Sequence, residues 1–141
     1  MESTLQAGLT FEYRYKVPEN KTVPYLFPEF PEGAEMPKVF ATGFMVGLFE
    51  FVCIKALQEH LNWPDEMSVG THVNISHLAA TPAGMIVTVK VTLSEVSGRK
   101  LSFNIEAFDD ADKISEGTHQ RFVIDRDKFN VGVEKKAESI G

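Results

Sequence analysis

With 141 residues, 43% hydrophobic and 24% charged, the chain has the size and make-up of one globular domain, which excludes a disordered or low-complexity protein. Its formal net charge of -6 argues against nucleic acid or an anionic membrane surface as the main partner, although a few basic groups can still hold an anionic ligand. The single cysteine, Cys53, excludes an intrachain disulfide and a cysteine-based metal site.

Met1 to Thr10 has no basic stretch followed by an apolar one, so no signal peptide is expected. Leu9, Phe11, Tyr13 and Tyr15 alternate with Thr10, Glu12, Arg14 and Lys16, the period of a first strand. Residues 17–38 then hold five of the seven prolines, which excludes regular helix or a central strand. Tyr25, Phe27 and Phe30 give this segment something to pack with, so it reads either as a lid over a site or as an extended connector. The apolar run from Val39 to Ile54, charged only at Glu50, is too short and too glycine-containing for a membrane span, and a cytoplasmic protein is expected.

From Thr42 to about Leu61, Phe44, Leu48, Phe51, Val52, Leu57 and Leu61 keep a helical rhythm. The first half is apolar nearly all round, which predicts a helix covered on every side. Four strand-like runs follow: 69–77, 85–96, 100–108 and 114–125, the second and third joined by Ser97-Gly98-Arg99 as a hairpin. The tail at 134–141 is small and polar and is expected to fray. One domain over 1–141 is predicted, of class α+β. About five strands from one chain cannot enclose a helix completely, so the arrangement that fits is a curved antiparallel sheet wrapped round it with a second subunit alongside. This is the hotdog architecture, and a homodimer is expected.

Glu50 is the first candidate for chemistry, since a carboxylate among apolar residues is costly unless paired or used. The alternative is a structural glutamate that reaches solvent or pairs with a base such as Arg121. Thr42 and Gly43 mark the helix start, where Thr42 is either a plain cap or, with the free N–H groups, part of an oxyanion site that Gly43 opens to a ligand. Alternation places His77 on the side of Val69, Thr71, Val73 and Ile75, pointing to the core or a pocket, and leaves His72 exposed. His77 is therefore a general acid/base or a core histidine. Gly70 is a bulge or a point of close ligand approach. Arg121 is a ligand for phosphate or carboxylate, or a solvated strand residue. Cys53, with no basic neighbour, reads as a buried inert thiol. His60, His72, His77 and His119 lack zinc-site spacing, so no metal or other cofactor is expected.

Phe40-Ala41-Thr42-Gly43-Phe44-Met45-Val46-Gly47-Leu48 followed by Glu50 resembles the fluoroacetyl-CoA thioesterase family of hotdog proteins. So do Lys21-Thr22-Val23, Gly70-Thr71, His77 with Ala79-Ala80-Thr81-Pro82, Gly117-Thr118-His119 with Arg121, and Lys128-Phe129-Asn130. The resemblance runs in order along nearly the whole chain. It implies a dimeric acyl-CoA thioesterase that uses Thr42, Glu50 and His77, with Gly70 and Arg121 contacting substrate and CoA entering only as part of that substrate. Fluoroacetyl-specific members carry phenylalanines where Gly33 and Met36 stand here. A glycine and a flexible methionine make a looser cover, which implies a different or broader short-acyl preference. Two rivals are weighed. Enoyl-CoA hydratases of this fold resemble Asp-x-Asn-x-x-His, but His72-Val73-Asn74-Ile75-Ser76-His77 has a histidine in the acid's place. A non-catalytic acyl-CoA or small-ligand binding module has little use for Glu50.

Overall fold

The computed structural model describes all of residues 1–141. Five strands, β1 (Thr10–Lys16), β2 (Glu66–His77), β3 (Ile86–Ser97), β4 (Lys100–Phe108) and β5 (Lys113–Asp125), form one antiparallel sheet in the order β1-β3-β4-β5-β2. Helix α1 (Thr42–Leu57) lies on one face of it. Period-2 alternation decides which face: Val87, Val89, Val91 and Leu93 on β3, and Leu101, Phe103, Ile105 and Ala107 on β4, are all buried. They meet Met45, Phe49, Val52, Cys53 and Ala56 of α1 in one core cluster. Each such side chain taken out of water contributes about 1.5–3 kcal/mol at the size of a Val, Leu or Phe.

The helix is not covered on every side. Its sheet-facing residues are buried, but Phe51 is 64% exposed and Phe44, Val46 and Leu48 are half-buried. The all-round apolar pattern thus exceeds what one sheet can cover. β2 is an edge strand, and residues 70–74 along it are exposed. Its register slips between Gly70 and His72, so Gly70 faces inward opposite Arg121, and inward parity resumes at Val73, Ile75 and His77. Val69 therefore does not share a side with His77, as simple alternation predicts. The bulge exchanges the faces, and His72 remains exposed.

Residues 17–38 contain three short 3-10 turns, Glu19–Lys21, Val23–Tyr25 and Pro31–Glu35, and no longer helix or strand. The segment is tied down by Val23 N donating to Val39 O (3.0 Å) and Ala41 N donating to Lys21 O (3.1 Å). The tail differs from expectation. Arg126–Glu138 forms a second helix, α2, capped by the Asp125 carboxylate, which accepts from Lys128 N at 3.0 Å. A good cap and helix-forming Lys, Glu and Ala residues carry order to Glu138, beyond where small polar residues suggested fraying. No helix is long and apolar enough to cross a membrane.

Candidate active site

Thr42 is the first residue of α1, and the N-cap is Ala41, whose side chain offers no hydrogen bond. Thr42 is thus not a capping residue. Its Oγ1 lies 2.7 Å from His77 Nδ1 at the end of β2. The free N–H groups of the first helical turn open beside this pair. Burial pushes the His77 imidazole below its ordinary pKa, partly opposed by the backbone at Ala79, so its neutral form persists to lower pH.

Glu50 lies two turns further along α1, about 12 Å along the axis at a rise of about 1.5 Å per residue. Its neighbours are different ones. Arg121 Nη1 donates to Glu50 Oε1 at 3.1 Å. Arg121 is 2% exposed, and all three of its guanidinium nitrogens are engaged: Nε donates to Ser68 Oγ (2.7 Å), Nη2 to Ser68 O (2.9 Å), and Nη1 also to His119 Nε2 (3.0 Å). His119 Nδ1 sits 2.8 Å from the His72 carbonyl, which can only accept. The ring is therefore the neutral Nδ1–H tautomer, accepting from Arg121 through Nε2. Burial first, then the Arg121 charge, hold His119 below its ordinary pKa. The whole array fixes one carboxylate oxygen, while Glu50 Oε2 has no partner within the chain.

Arg121 is thus a buried cation and not a solvated strand residue, and Glu50 does pair with it. Thr42 and His77 form one cluster, and Glu50 with Arg121 and Gly70 forms another. Gly70 stands next to the bulge, and the close approach there is by the chain's own side chains: a Cβ would overlap Glu50 Oε1 and come within 3.3 Å of His119. Gly43 faces the lid-like segment, since a Cβ would meet Leu26 Cδ1 at 3.3 Å. Gly33, half-buried, and Met36, exposed, stand on that segment round a cavity of about 250 Å³ with Phe27 and Phe30. The Cys53 thiol is buried and pushed up to about 12, unfit as a nucleophile. Reasoning from sequence passed over Ser68 and the structural role of His119. His119 does share parity with Arg121 and Val123, but the opposite parity of β5 mixes Glu116, Thr118 and Gln120 with Ile114, Phe122 and Ile124, so neither face stood out.

Two consequences follow from this packing. Gly70→Ala should leave the strand paired but displace Glu50, lowering kcat by about 10-fold or more through misplacement. Circular dichroism together with turnover checks it, and wild-type kcat would show that the close approach has no bearing on the reaction. Stability should also fall on mild acidification. His77 and His119 both have folded pKa values below the unfolded value of about 6.5, so below that pH the unfolded chain binds more protons. Stability is complete above about pH 7 and declines as pH falls through 6.5 toward the folded values. The urea midpoint should be lower at about pH 5.5 than at about pH 7.5, and His119→Asn should flatten the difference.

A family model for fluoroacetyl-CoA-specific thioesterases matches residues 24–127. The fluoroacetyl-CoA thioesterase of Streptantibioticus cattleyicolor is 48% identical over 136 residues, spanning 96% of this chain and 97% of its own. A crystal structure of a fluoroacetyl-CoA-specific thioesterase with a phenylalanine-to-alanine substitution matches with a TM-score of 0.92 at 47% identity, covering 96% of this chain and 99% of its own. A threonine-to-alanine variant of a fluoroacetyl-CoA thioesterase in complex with fluoroacetate gives 0.90 at 48% identity, over 94% and 98%. A hot-dog-like protein from Thermanaerovibrio acidaminovorans, 21% identical, shares the fold with a TM-score of 0.77 over 92% and 91%. The sheet wrapped on a long helix is the hotdog fold expected from the sequence.

Proposed function

The chain belongs to the fluoroacetyl-CoA-specific thioesterase family, and from that premise we propose that it hydrolyses short-chain acyl-CoA thioesters to the free acid and CoA. The observation that carries this reading is the Glu50 carboxylate, anchored through Oε1 by a buried guanidinium and presented through Oε2. Oε2 either attacks the thioester carbonyl or takes a proton from an attacking water. A C–O bond forms as the C–S bond breaks, and in the nucleophilic route water then opens the anhydride to the free acid. In either route the proton given up by water balances the departing thiolate, with His77 taking it up at Nδ1 before delivering it as the general acid. The first-turn N–H groups stabilise the charge that builds on the carbonyl oxygen, and the Thr42 hydroxyl is the hydrogen-bonding partner that holds His77 through Nδ1. No cofactor is needed, since CoA is part of the substrate.

The lid-like segment argues for a broader acyl range than fluoroacetyl alone. Gly33 and Met36 leave the 250 Å³ cavity without further rings, and a Cβ at Gly33 meets only the Pro24 backbone, O at 3.6 Å and Cα at 3.9 Å, at ordinary contact distance. A panel of acetyl-, fluoroacetyl-, propionyl- and butyryl-CoA, followed by thiol release, tests the function. Turnover of several is expected. Binding without turnover would leave a ligand-binding module, and addition of water to crotonyl-CoA would indicate a hydratase.

We also infer a homodimer with shared sites. Thr42 is turned to His77 and Glu50 to Arg121, about 12 Å apart on one rigid helix. A second copy placed against the exposed β2 edge and the open face of α1 brings Glu50 of one subunit to Thr42 and His77 of the other. Two-fold symmetry then makes two equal sites. Mixing inactive Thr42→Ala and Glu50→Gln chains after joint refolding should restore about a quarter of wild-type activity, because half the dimers are mixed and each has one intact site. No recovery would place the whole set within one chain.

A further inference from the structure

Two side-chain polar atoms in the molecule are buried with no hydrogen-bond partner, His77 Nε2 and Ser115 Oγ. Their residues stand directly opposite one another on β2 and β5. Opposed residues of an antiparallel pair project to the same face, with Cβ atoms about 4.5–5.5 Å apart. That face is the inner one, because Ser115 is also opposite the fully buried Ala107, and Ser115 itself is 0% exposed. Buried polar atoms are nearly always paired, so two adjacent orphans point to each other.

We propose that Ser115 is a positioning residue for His77: its hydroxyl accepts the hydrogen bond of His77 Nε2–H relayed through one enclosed water, and so fixes the tautomer that turns the Nδ1 lone pair to Thr42. The Thr42 contact at 2.7 Å supplies the other half of the argument. With Thr42 Oγ1–H donating to Nδ1, the neutral ring must carry its proton on Nε2, and that N–H needs an acceptor. When Nδ1 takes up a proton during turnover, Nε2–H still donates to the same water, so the ring passes between its two states without turning. A neutral hydroxyl also suits a site whose burial favours the neutral ring, where a carboxylate would favour the cation. The Ala79 carbonyl lies near enough to favour protonation but completes no hydrogen bond to Nε2, which makes it the competing acceptor. The inference rests on the role given to His77 above.

The test uses the full chain labelled with 15N-histidine, with the His77 signals identified by their loss in His77→Asn. In the wild type His77 should be the Nε2–H tautomer. Ser115→Ala and Ser115→Gly should both move the Nε2 resonance and mix the tautomers, with kcat reduced about tenfold and KM within about twofold. A purely structural effect of the lost volume would separate Ala from Gly and leave the tautomer alone. Unchanged His77 resonances in both variants would overturn the proposal and assign Nε2–H to Ala79. Full activity in His77→Asn would instead overturn the catalytic reading, while the resonances of the serine variants still decide the contact.

Discussion

Replacing Glu50 with glutamine should lower kcat by about 10²–10⁴-fold, the range expected when a nucleophile or general base is removed, while the chain stays folded. The substitution keeps size and shape, and the glutamine carbonyl can accept from Arg121 Nη1 in place of Oε1. What it removes is the charge on the second oxygen, the atom with no partner in the chain. Stability should fall by only about 1–2 kcal/mol: a charge-assisted hydrogen bond becomes a neutral one, and the 38% exposure of the Glu50 side chain lets water screen the difference. The two effects are separable by measuring turnover and the urea midpoint on the same preparation. A variant with wild-type kcat would remove Glu50 from the chemistry. A variant that unfolds would show that the carboxylate serves mainly to neutralise Arg121. Single turnover in oxygen-18 water then tests the covalent route, since label on Glu50 requires an acyl anhydride opened by water at the glutamyl carbonyl, whereas direct water attack leaves Glu50 unlabelled and puts the label in the acid.

Much of this site was legible in the chain because charge among apolar residues and period-2 alternation are local signals. The five strands, the hairpin at Ser97-Gly98-Arg99 and the long helix all follow from them. Glu50 stood out for the same reason, and its pairing with Arg121 was one of the two readings open to it. The failures have a common origin in contacts distant along the chain. The bulge between Gly70 and His72 cannot be seen in a strand read alone, and it reverses the face of everything before it. Arg121 looks like an ordinary exposed residue until Ser68, 53 positions away, accepts two of its hydrogen bonds. His119 becomes informative only once Arg121 is known to be buried. Thr42 was ambiguous because a helix start fits both a cap and a ligand for His77. Only the position of β2 separates the two.

Arg121→Lys is the substitution that tests whether the site depends on charge or on shape. Lysine keeps the positive charge but has one nitrogen where arginine uses three, each aimed at a different acceptor. An ammonium that reaches Glu50 must abandon Ser68, and one that stays with Ser68 leaves Glu50 free to turn. The expected result is a loss of about 2–4 kcal/mol of stability, from buried acceptors left without donors, and a fall in kcat of about 10–100-fold as the carboxylate loses its fixed position. Arg121→Met should behave differently at His119. Removing the cation takes away one of the influences, after burial, that hold the imidazole below its ordinary pKa, and leaves Glu50 favouring its protonation. The His119 titration midpoint should rise in the methionine variant and change less in the lysine variant. If both variants keep wild-type kcat, the buried guanidinium is structural only. If the lysine variant fails as completely as the methionine one, it is the fork of donors and not the charge that holds Glu50 in place.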